Sequence, residues 1–372
     1  MENHNPPKST PLKLRVLLVG NYPNDRQESM LRFAETLLKE LKSRGIAVTL
    51  LQPKTFFGRF KPTGTGLGKW LGYLDKFFIF PWALKRAAAC HDLIHLCDHS
   101  NAHYVHYLLN KPHLVTCNDL LAVRSALGEF PQNQTGWTGR ILQRLILHGL
   151  KQAQHISCIS EATLRDLLRL TGRTPSQVDI ISMGLNYPYL PGQPDPERKD
   201  YLIHVGGDQW YKNRQGVLAI YSELRKFYGH HPPGLILVGP PLANPPPGVE
   251  SLSNVENESL RSLYSGAELL LFPSLEEGFG WPILEAQACG CRVLTTRKAP
   301  MTEVGGDAAF YLDDPADLSA SAHLVLNVLK QNPEMRRKSE EAGLKNAAQF
   351  STEKMISNYL ALYKKLGLPA RY

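Results

Sequence analysis

Apolar and polar positions along the chain fall into two kinds of short segment that alternate from one end to the other. Residues 14–19 (LRVLLV) form a compact apolar run closed by Gly20, the pattern of a strand covered on both faces. From about 29 to 42 the apolar positions instead recur at helical spacing, at Met30, Leu31, Phe33, Leu37, Leu38 and Leu41. Gly45 ends that helix, and 46–51 (IAVTLL) is the next strand. Further strands are predicted at 93–97, 113–117, 156–159 and 178–182. Strands separated by helices pair in parallel through right-handed crossovers, so this half predicts a doubly wound sheet.

The alternation breaks at 186–200 (NYPYLPGQPDPERKD), where four prolines and little apolar content predict a linker. It restarts with a strand at 201–205, a helix at 215–228, and a strand at 235–238 ending in Gly239. Strands at 269–272, 292–296 and 308–312 follow, and 350–366 reads as a final helix capped by Ser351 or Thr352. A chain of 372 residues is also too long for one ordinary core. The expected organisation is a basic domain 1–185, the linker 186–200, a second doubly wound domain 201–350 and a terminal helix 351–372. Ligands of such sheets sit at the carboxyl ends of the strands, so the active site is expected in a cleft between the domains.

Composition narrows the class. The chain is 43% hydrophobic and 20% charged, which is globular. No apolar stretch approaches the roughly 20 residues of a membrane span, and the first ten residues lack the apolar region of a secretory signal. Six cysteines without paired C-x-x-C spacing suit a reducing cytosol. The net charge of +8 is unevenly placed: residues 1–185 carry 23 Lys+Arg against 13 Asp+Glu, so the excess lies wholly in this half. A basic half suits nucleic acid, anionic lipid or a phosphorylated substrate, and no nucleic-acid motif accompanies it. Within it, 58–88 mixes glycines, Trp70, Tyr73, Phe77, Phe78, Phe80 and Trp82 with Lys61, Lys69, Lys76, Lys85 and Arg86. Aromatics at helical spacing predict a core helix behind a glycine-rich surface loop. A membrane interface is the alternative.

The most informative chemistry lies at 272–292 (FPSLEEGFGWPILEAQACGCR). A strand runs into a loop, and a helix starts with Pro282 in its first turn, where a missing N–H costs nothing. The loop therefore lies at a helix N-terminus, whose free N–H groups and dipole favour an anion. Gly278 and Gly280 let the backbone approach a ligand. Glu277 in the loop and Glu285 in the helix are eight residues apart, suited to sugar hydroxyls beside a diphosphate.

This stretch, Glu277-Gly-Phe-Gly-Trp-Pro-Ile-Leu-Glu285, resembles the EGFGxPxLE signature of the retaining glycosyltransferases of family 4, which have the GT-B fold of two Rossmann-like domains. The resemblance extends through 286–292 (AQACGCR), 303–307 (EVGGD), Asp314-Pro315, 182–184 and 157–161 (SCISE), and so covers most of the chain. It implies transfer of a sugar, with retention of configuration and without a metal or cofactor, from a nucleotide-diphosphate sugar such as GDP-mannose or a UDP-sugar. The acceptor it implies is a hydroxyl of a glycan or lipid-linked molecule, in cell-surface polysaccharide assembly. The donor falls to the second domain and the acceptor to the first, with the terminal helix crossing back to the first. Glu285 would contact the ribose, and Glu277 with the backbone around Phe279 the donor sugar. Retention in the family is explained by front-face attack assisted by the leaving phosphate.

Other positions follow from the same likeness. In 204–214 (HVGGDQWYKNR), Gly206 and Gly207 shape a turn after a strand, and Lys212 matches the family's diphosphate-binding lysine. Gly207 stands where the family commonly has an arginine, so Arg214 or backbone N–H groups must supply the second contact. Gly239 and the backbone near Val255 fall where the base is read. Gly20, in a loop that is not G-x-G-x-x-G, would approach the donor phosphate. His99 follows a strand and would hydrogen-bond a sugar; with His103 and His106 it has i, i+4, i+7 spacing, which places zinc ligands on one helix face only if a helix forms there. Asn118 replaces a histidine common in the family, and Asp119 beside it is either a catalytic or orienting group or a helix cap. The expected location is cytoplasmic, peripheral to an anionic inner membrane face through the basic domain. A catalytically degenerate nucleotide-sugar binder is the alternative that the Gly207 and Asn118 departures motivate.

Overall fold

A computed structural model describes residues 14–367 except 26, 58–65, 186, 196, 197, 199 and 230. The chain divides into two compact units, 1–116 with 145–156 and 358–372, and 117–144 with 157–357.

The first sheet has the order β2-β1-β3-β4-β5-β6, built from β1 (Arg15–Val19), β2 (Ala47–Leu51), β3 (Leu93–Leu96), β4 (His113–Cys117), β5 (His155–Cys158) and β6 (Val178–Ile180). Its β1 pairs in parallel with both β2 and β3, and the crossovers are α1 (Glu28–Ser43) and the long helical segment 66–89. Val16 to Val19 and all of β3 and β4 are buried, which is why apolar residues dominate these strands. Polar groups also lie inside this core, with His95 at the centre of one network. His95 Nδ1 is 2.6 Å from the Tyr363 hydroxyl and its Nε2 is 2.7 Å from Thr116 Oγ1. Thr116 is in turn 2.9 Å from the Tyr359 hydroxyl. Burial pushes His95 down to about 3, so the ring is neutral and both nitrogens are used. Tyr359 and Tyr363 belong to the terminal helix (Thr352–Gly367), where Ser351 Oγ accepts from Lys354 N at 3.1 Å.

The second sheet has the order β12-β11-β10-β7-β8-β9. Its strands are β7 (Tyr201–Val205), β8 (Gly234–Val238), β9 (Val249–Leu252), β10 (Leu269–Phe272), β11 (Val293–Thr296) and β12 (Phe310–Leu312). Leu202, Leu235, Leu237, Leu269, Leu271 and Leu294 pack against Val217, Ile220 and Leu224 of one helix (Arg214–Tyr228) and Ala322, Val325 and Leu326 of another (Leu318–Leu329). Each such side chain contributes about 1.5–3 kcal/mol on burial. The strand absent from the sequence reading is β9. It is a half-buried edge strand with the sequence VESL, and one exposed side removes the need for a continuous apolar run.

The aromatic segment departs from its sequence expectation; its first part, 58–65, lies outside the described residues. Residues 66–89 form a helix with a π turn at Asp75–Ile79, where Phe80 N–H bonds to Asp75 O. Phe80, Leu84 and Ala88 enter the core, but Trp70, Phe78 and Trp82 are 57%, 75% and 68% exposed. The core-helix reading therefore holds for one face only. Asp75 is the buried polar group of this segment, and it accepts from the Tyr22 hydroxyl and from Phe57 N, both at 2.9 Å.

His99, His103 and His106 lie on a 3₁₀ segment (His99–Tyr107) instead of an α-helix. With three residues per turn, His103 and His106 fall on one side but His99 is displaced by about 120°, so the three do not share a face. Among the described residues no cluster of three metal-ligating side chains is present, and no helix is long and apolar enough to cross a membrane.

Candidate functional site

In the second unit, two loops leave the carboxyl ends of neighbouring strands and are fastened to one another. Residues 206–213 follow β7, and 273–280 follow β10, which pairs with β7 in parallel. Leu275 N donates to Tyr211 O at 2.7 Å, and Asn213 Nδ2 donates to Pro273 O at 2.9 Å. Asn213 adopts a left-handed conformation (φ 53°) that turns the chain into the helix beginning at Arg214. Asparagine tolerates that conformation better than other non-glycine residues.

This fastening brings Lys212 to Glu277. Lys212 Nζ donates to Glu277 Oε1 at 2.7 Å, and the two side chains are 17% and 7% exposed. The ammonium also lies 5.3 Å from the centre of the Phe272 ring and 5.6 Å from that of Tyr211. The Tyr211 phenol is pushed up by burial and by the nearby Glu277 and Asp119 carboxylates. Arg214 is buried; it donates to Asp208 Oδ1 at 2.8 Å while its Nε has no hydrogen-bond partner among the described residues. A buried guanidinium with an unused donor suits an anionic ligand. His204, below the same turn, holds Leu271 O at 2.9 Å through Nδ1, and burial lowers it to about 4, so it adds no charge at neutral pH.

The glycines fit close backbone packing. A Cβ on Gly239 would lie 2.1 Å from Gly206 O, so the turns after β7 and β8 meet only without side chains there. A Cβ on Gly278 would lie 2.6 Å from Asn118 O and 2.9 Å from Asp119 Cβ. Gly280 takes φ 101° at the start of the helix Trp281–Ala288, which has a proline in its first turn. The atoms nearest a Cβ on Gly207 belong to the Gln209 side chain.

Glu277 also lines a cavity of about 250 Å³ with Asp119, Arg124, Arg165, Glu276 and Lys298. Asp119 precedes Leu120, the N-cap of the helix Leu121–Ala126, so it is not the cap itself; its Oδ1 accepts from Leu121 N at 3.0 Å, and the residue also lines this cavity. Glu276, which no motif in the sequence singles out, belongs to the same cavity. Its buried carboxylate bonds Lys298 Nζ at 2.5 Å and Arg124 Nη1 at 3.2 Å. The doubled glutamate in LEEGFG was its only signal, because both partners come from distant segments.

The other predicted residues have partners of their own. Glu285 Oε2 accepts from the buried Tyr264 hydroxyl at 3.0 Å. Val255 lines a cavity of about 530 Å³ with Arg198, Leu252, Asn254 and Leu263. The Phe279 ring is buried against Trp281 and Phe350, at 5.5 and 6.0 Å between ring centres. Gly20 and His99 belong to the first unit. There Gly20 N donates to Leu51 O at 3.0 Å, and Asn21 Nδ2 donates to Asp98 Oδ2 at 2.8 Å. His99 Nδ1 lies 3.0 Å from Asp98 Oδ1. Burial alone would raise the Asp98 carboxyl, but His99, Ser100 and Asn21 outweigh it and hold it below the usual carboxylate range.

Known proteins share this architecture. O-antigen chain mannosyltransferase B of Escherichia coli is 27% identical over 250 residues, 61% of this chain and 65% of that protein. The match thus spans just under two thirds of the relative. Among solved structures, sucrose-phosphate synthase of Thermosynechococcus elongatus is 20% identical with a TM-score of 0.71, covering 95% of this chain and 99% of that one. The UDP-forming α,α-trehalose-phosphate synthase of Burkholderia xenovorans is 13% identical with a TM-score of 0.72, over 96% and 100%. These two structures share the fold of two parallel sheets. The model of glycosyltransferase family 4 matches residues 30–187, and that of glycosyl transferases group 1 matches 191–346. Together they account for most of the described chain, which belongs to the group 1, family 4 glycosyltransferases of GT-B fold.

Proposed function

We propose that this protein is a retaining hexosyltransferase that moves a sugar from a nucleotide-diphosphate sugar to a hydroxyl of a glycan or lipid-linked acceptor. The observation that carries the reading is the Lys212–Glu277 pair, held where two strand-end loops and a helix N-terminus converge. A diphosphate there takes Lys212 and Arg214 as counter-charges, together with the N–H groups around Gly206, Gly207, Gly239 and Gly280. Glu277, released from the lysine, accepts hydrogen bonds from the sugar, with Gly278 and the Phe279 backbone beside it. Glu285 faces the ribose and Val255 the base. The pre-set positive charge stabilises the leaving diphosphate without a metal or cofactor, and the nucleotide sugar is a co-substrate. Attack occurs on the face the diphosphate leaves, with Asp119 on the acceptor side.

The E. coli relative's mannosyl transfer to an O-antigen chain makes GDP-mannose the first donor to try, then UDP-sugars. A membrane-bound polysaccharide precursor suits the basic first half, and with it a cytoplasmic location at the inner membrane face.

Thermal melts with UDP, GDP and ADP, of the wild type and Glu285→Ala, test the nucleotide site. A shift of several degrees with one nucleotide, lost on substitution, supports it; no shift with any of the three counts against it. Release of sugar from the matching donor then separates an enzyme from a degenerate binder, which the glycine at 207 would suit if Arg214 did not replace the missing charge.

A further inference from the structure

The exposed aromatics of residues 66–89 form a single stripe. Trp70, Leu74, Phe78 and Trp82 follow one another at intervals of four, with exposures of 57%, 39%, 75% and 68%. In a plain α-helix, successive i+4 positions drift by about 40° around the axis. The π turn at Asp75–Ile79 widens the helix in the middle of the run and takes back part of that drift, keeping the stripe on one side. The opposite side carries Asp75, Phe80, Leu84 and Ala88, all buried. The π turn is thus paired with the buried Asp75, whose two hydrogen bonds to Tyr22 and Phe57 anchor the helix to its unit.

Charge accompanies the stripe. The segment 66–89 contains one carboxylate, Asp75, and it is on the buried side. Lys85 and Arg86 are exposed at the end of the stripe, where the Arg86 guanidinium lies 5.8 Å from the centre of the Trp82 ring. The outer surface of this helix is therefore aromatic and cationic. The three exposed rings leave about two rings' worth of surface open, roughly 300–500 Å². That falls short of the roughly 800 Å² per partner of a stable protein interface. It suits shallow insertion of amphipathic rings among headgroups, with cations held against anionic lipid.

We infer that this stripe is a membrane-docking surface, which lays the helix 66–89 flat on an anionic bilayer with Trp70, Phe78 and Trp82 at the headgroup level. The inference deepens the lipid-side reading of the acceptor and is independent of the nucleotide site. It is tested by co-sedimentation of the full chain with phosphatidylcholine vesicles, with and without about 30% phosphatidylglycerol. The expected result is binding only to the anionic vesicles, weakened by salt. Phe78→Ser with Trp82→Ser should reduce the bound fraction at least tenfold, and so should Lys85→Glu with Arg86→Glu. The nucleotide-induced melting shift should be unchanged in both variants, so failure of docking and failure of the nucleotide site give different results. Absence of wild-type binding at low salt would overturn the inference, as would full binding by the Phe78/Trp82 variant. A wild-type dimer in sedimentation velocity that the same variant dissolves would also overturn it, in favour of a second copy of this chain.

Discussion

Glu277→Gln should strengthen binding of the bare nucleoside diphosphate while removing turnover. Lys212 Nζ donates to Glu277 Oε1 at 2.7 Å, so a diphosphate that recruits Lys212 competes with that carboxylate. The Lys212 ammonium donates in either case, so its hydrogen bond remains charge-assisted. What the substitution removes is the attraction between opposite charges, about 0.2–1 kcal/mol in a solvent-accessible pair and somewhat more in a part-buried one. The amide still accepts from the lysine, so the substitution weakens the competitor by about 1 kcal/mol. At 1.4 kcal/mol per tenfold, UDP or GDP should bind about fivefold tighter. Transfer, which needs the carboxylate on the sugar, should fall by about 100-fold or more. Lys212→Ala is the opposite case: loss of a charge-assisted contact should weaken nucleotide binding about 10- to 100-fold and lower turnover with it. Calorimetric titration with each nucleotide, alongside release of sugar from the donor, reads both quantities. Weaker nucleotide binding by a correctly folded Glu277→Gln protein would refute the competition argument. Unchanged turnover would remove Glu277 from the chemistry.

The backbone contact at Gly278 gives a steric test. A Cβ there would lie 2.6 Å from Asn118 O, where ordinary contact begins at 3.4 Å, so the loops must part by about 0.8 Å. Gly278→Ala should lower turnover about 10- to 100-fold with a drop of a few degrees in melting temperature, and wild-type rates would show that the loops yield freely. Acid sensitivity follows from the buried histidines. His95, His103 and His204 are held at about 3, 4 and 4, below their ordinary 6.5, mainly by burial. The unfolded chain therefore binds more protons between these values, so stability is full above pH 6.5 and declines as pH falls towards 4. A melting temperature that stays level from pH 7 to 4.5 would contradict this assignment. At Glu276, substitution by alanine leaves Lys298 and Arg124 without their shared buried partner and should lower the melting temperature by several degrees. No change in the melt would reduce that trio to a surface feature.

Much of this organisation is legible along the chain because its physical cause is local. A strand covered on both faces is mainly apolar, and β1, β3, β7 and β10 announce themselves for that reason even though β3 and β7 each hold one buried histidine. The helix after Gly280 is marked by its glycine and proline, and the strand-to-helix turns at 206–214 and 273–281 by their glycines. Those features place the backbone of the candidate site without any knowledge of what crosses it.

What only the tertiary structure decided is which side chains meet and which face of an element is covered. Lys212 and Glu277 are 65 residues apart and share a hydrogen bond because their strands are neighbours in the sheet. Glu276, His95 and Asp75 have no periodic signature, since a buried polar group is specified by partners from remote segments. The aromatics of 66–89 have the same spacing whether they enter a core or leave it. Helical periodicity defines a stripe; only the burial of Phe80, against Tyr104, and of Leu84 turned Trp70, Phe78 and Trp82 outward. Periodicity records the geometry of one element, whereas burial depends on what the rest of the chain lays against it.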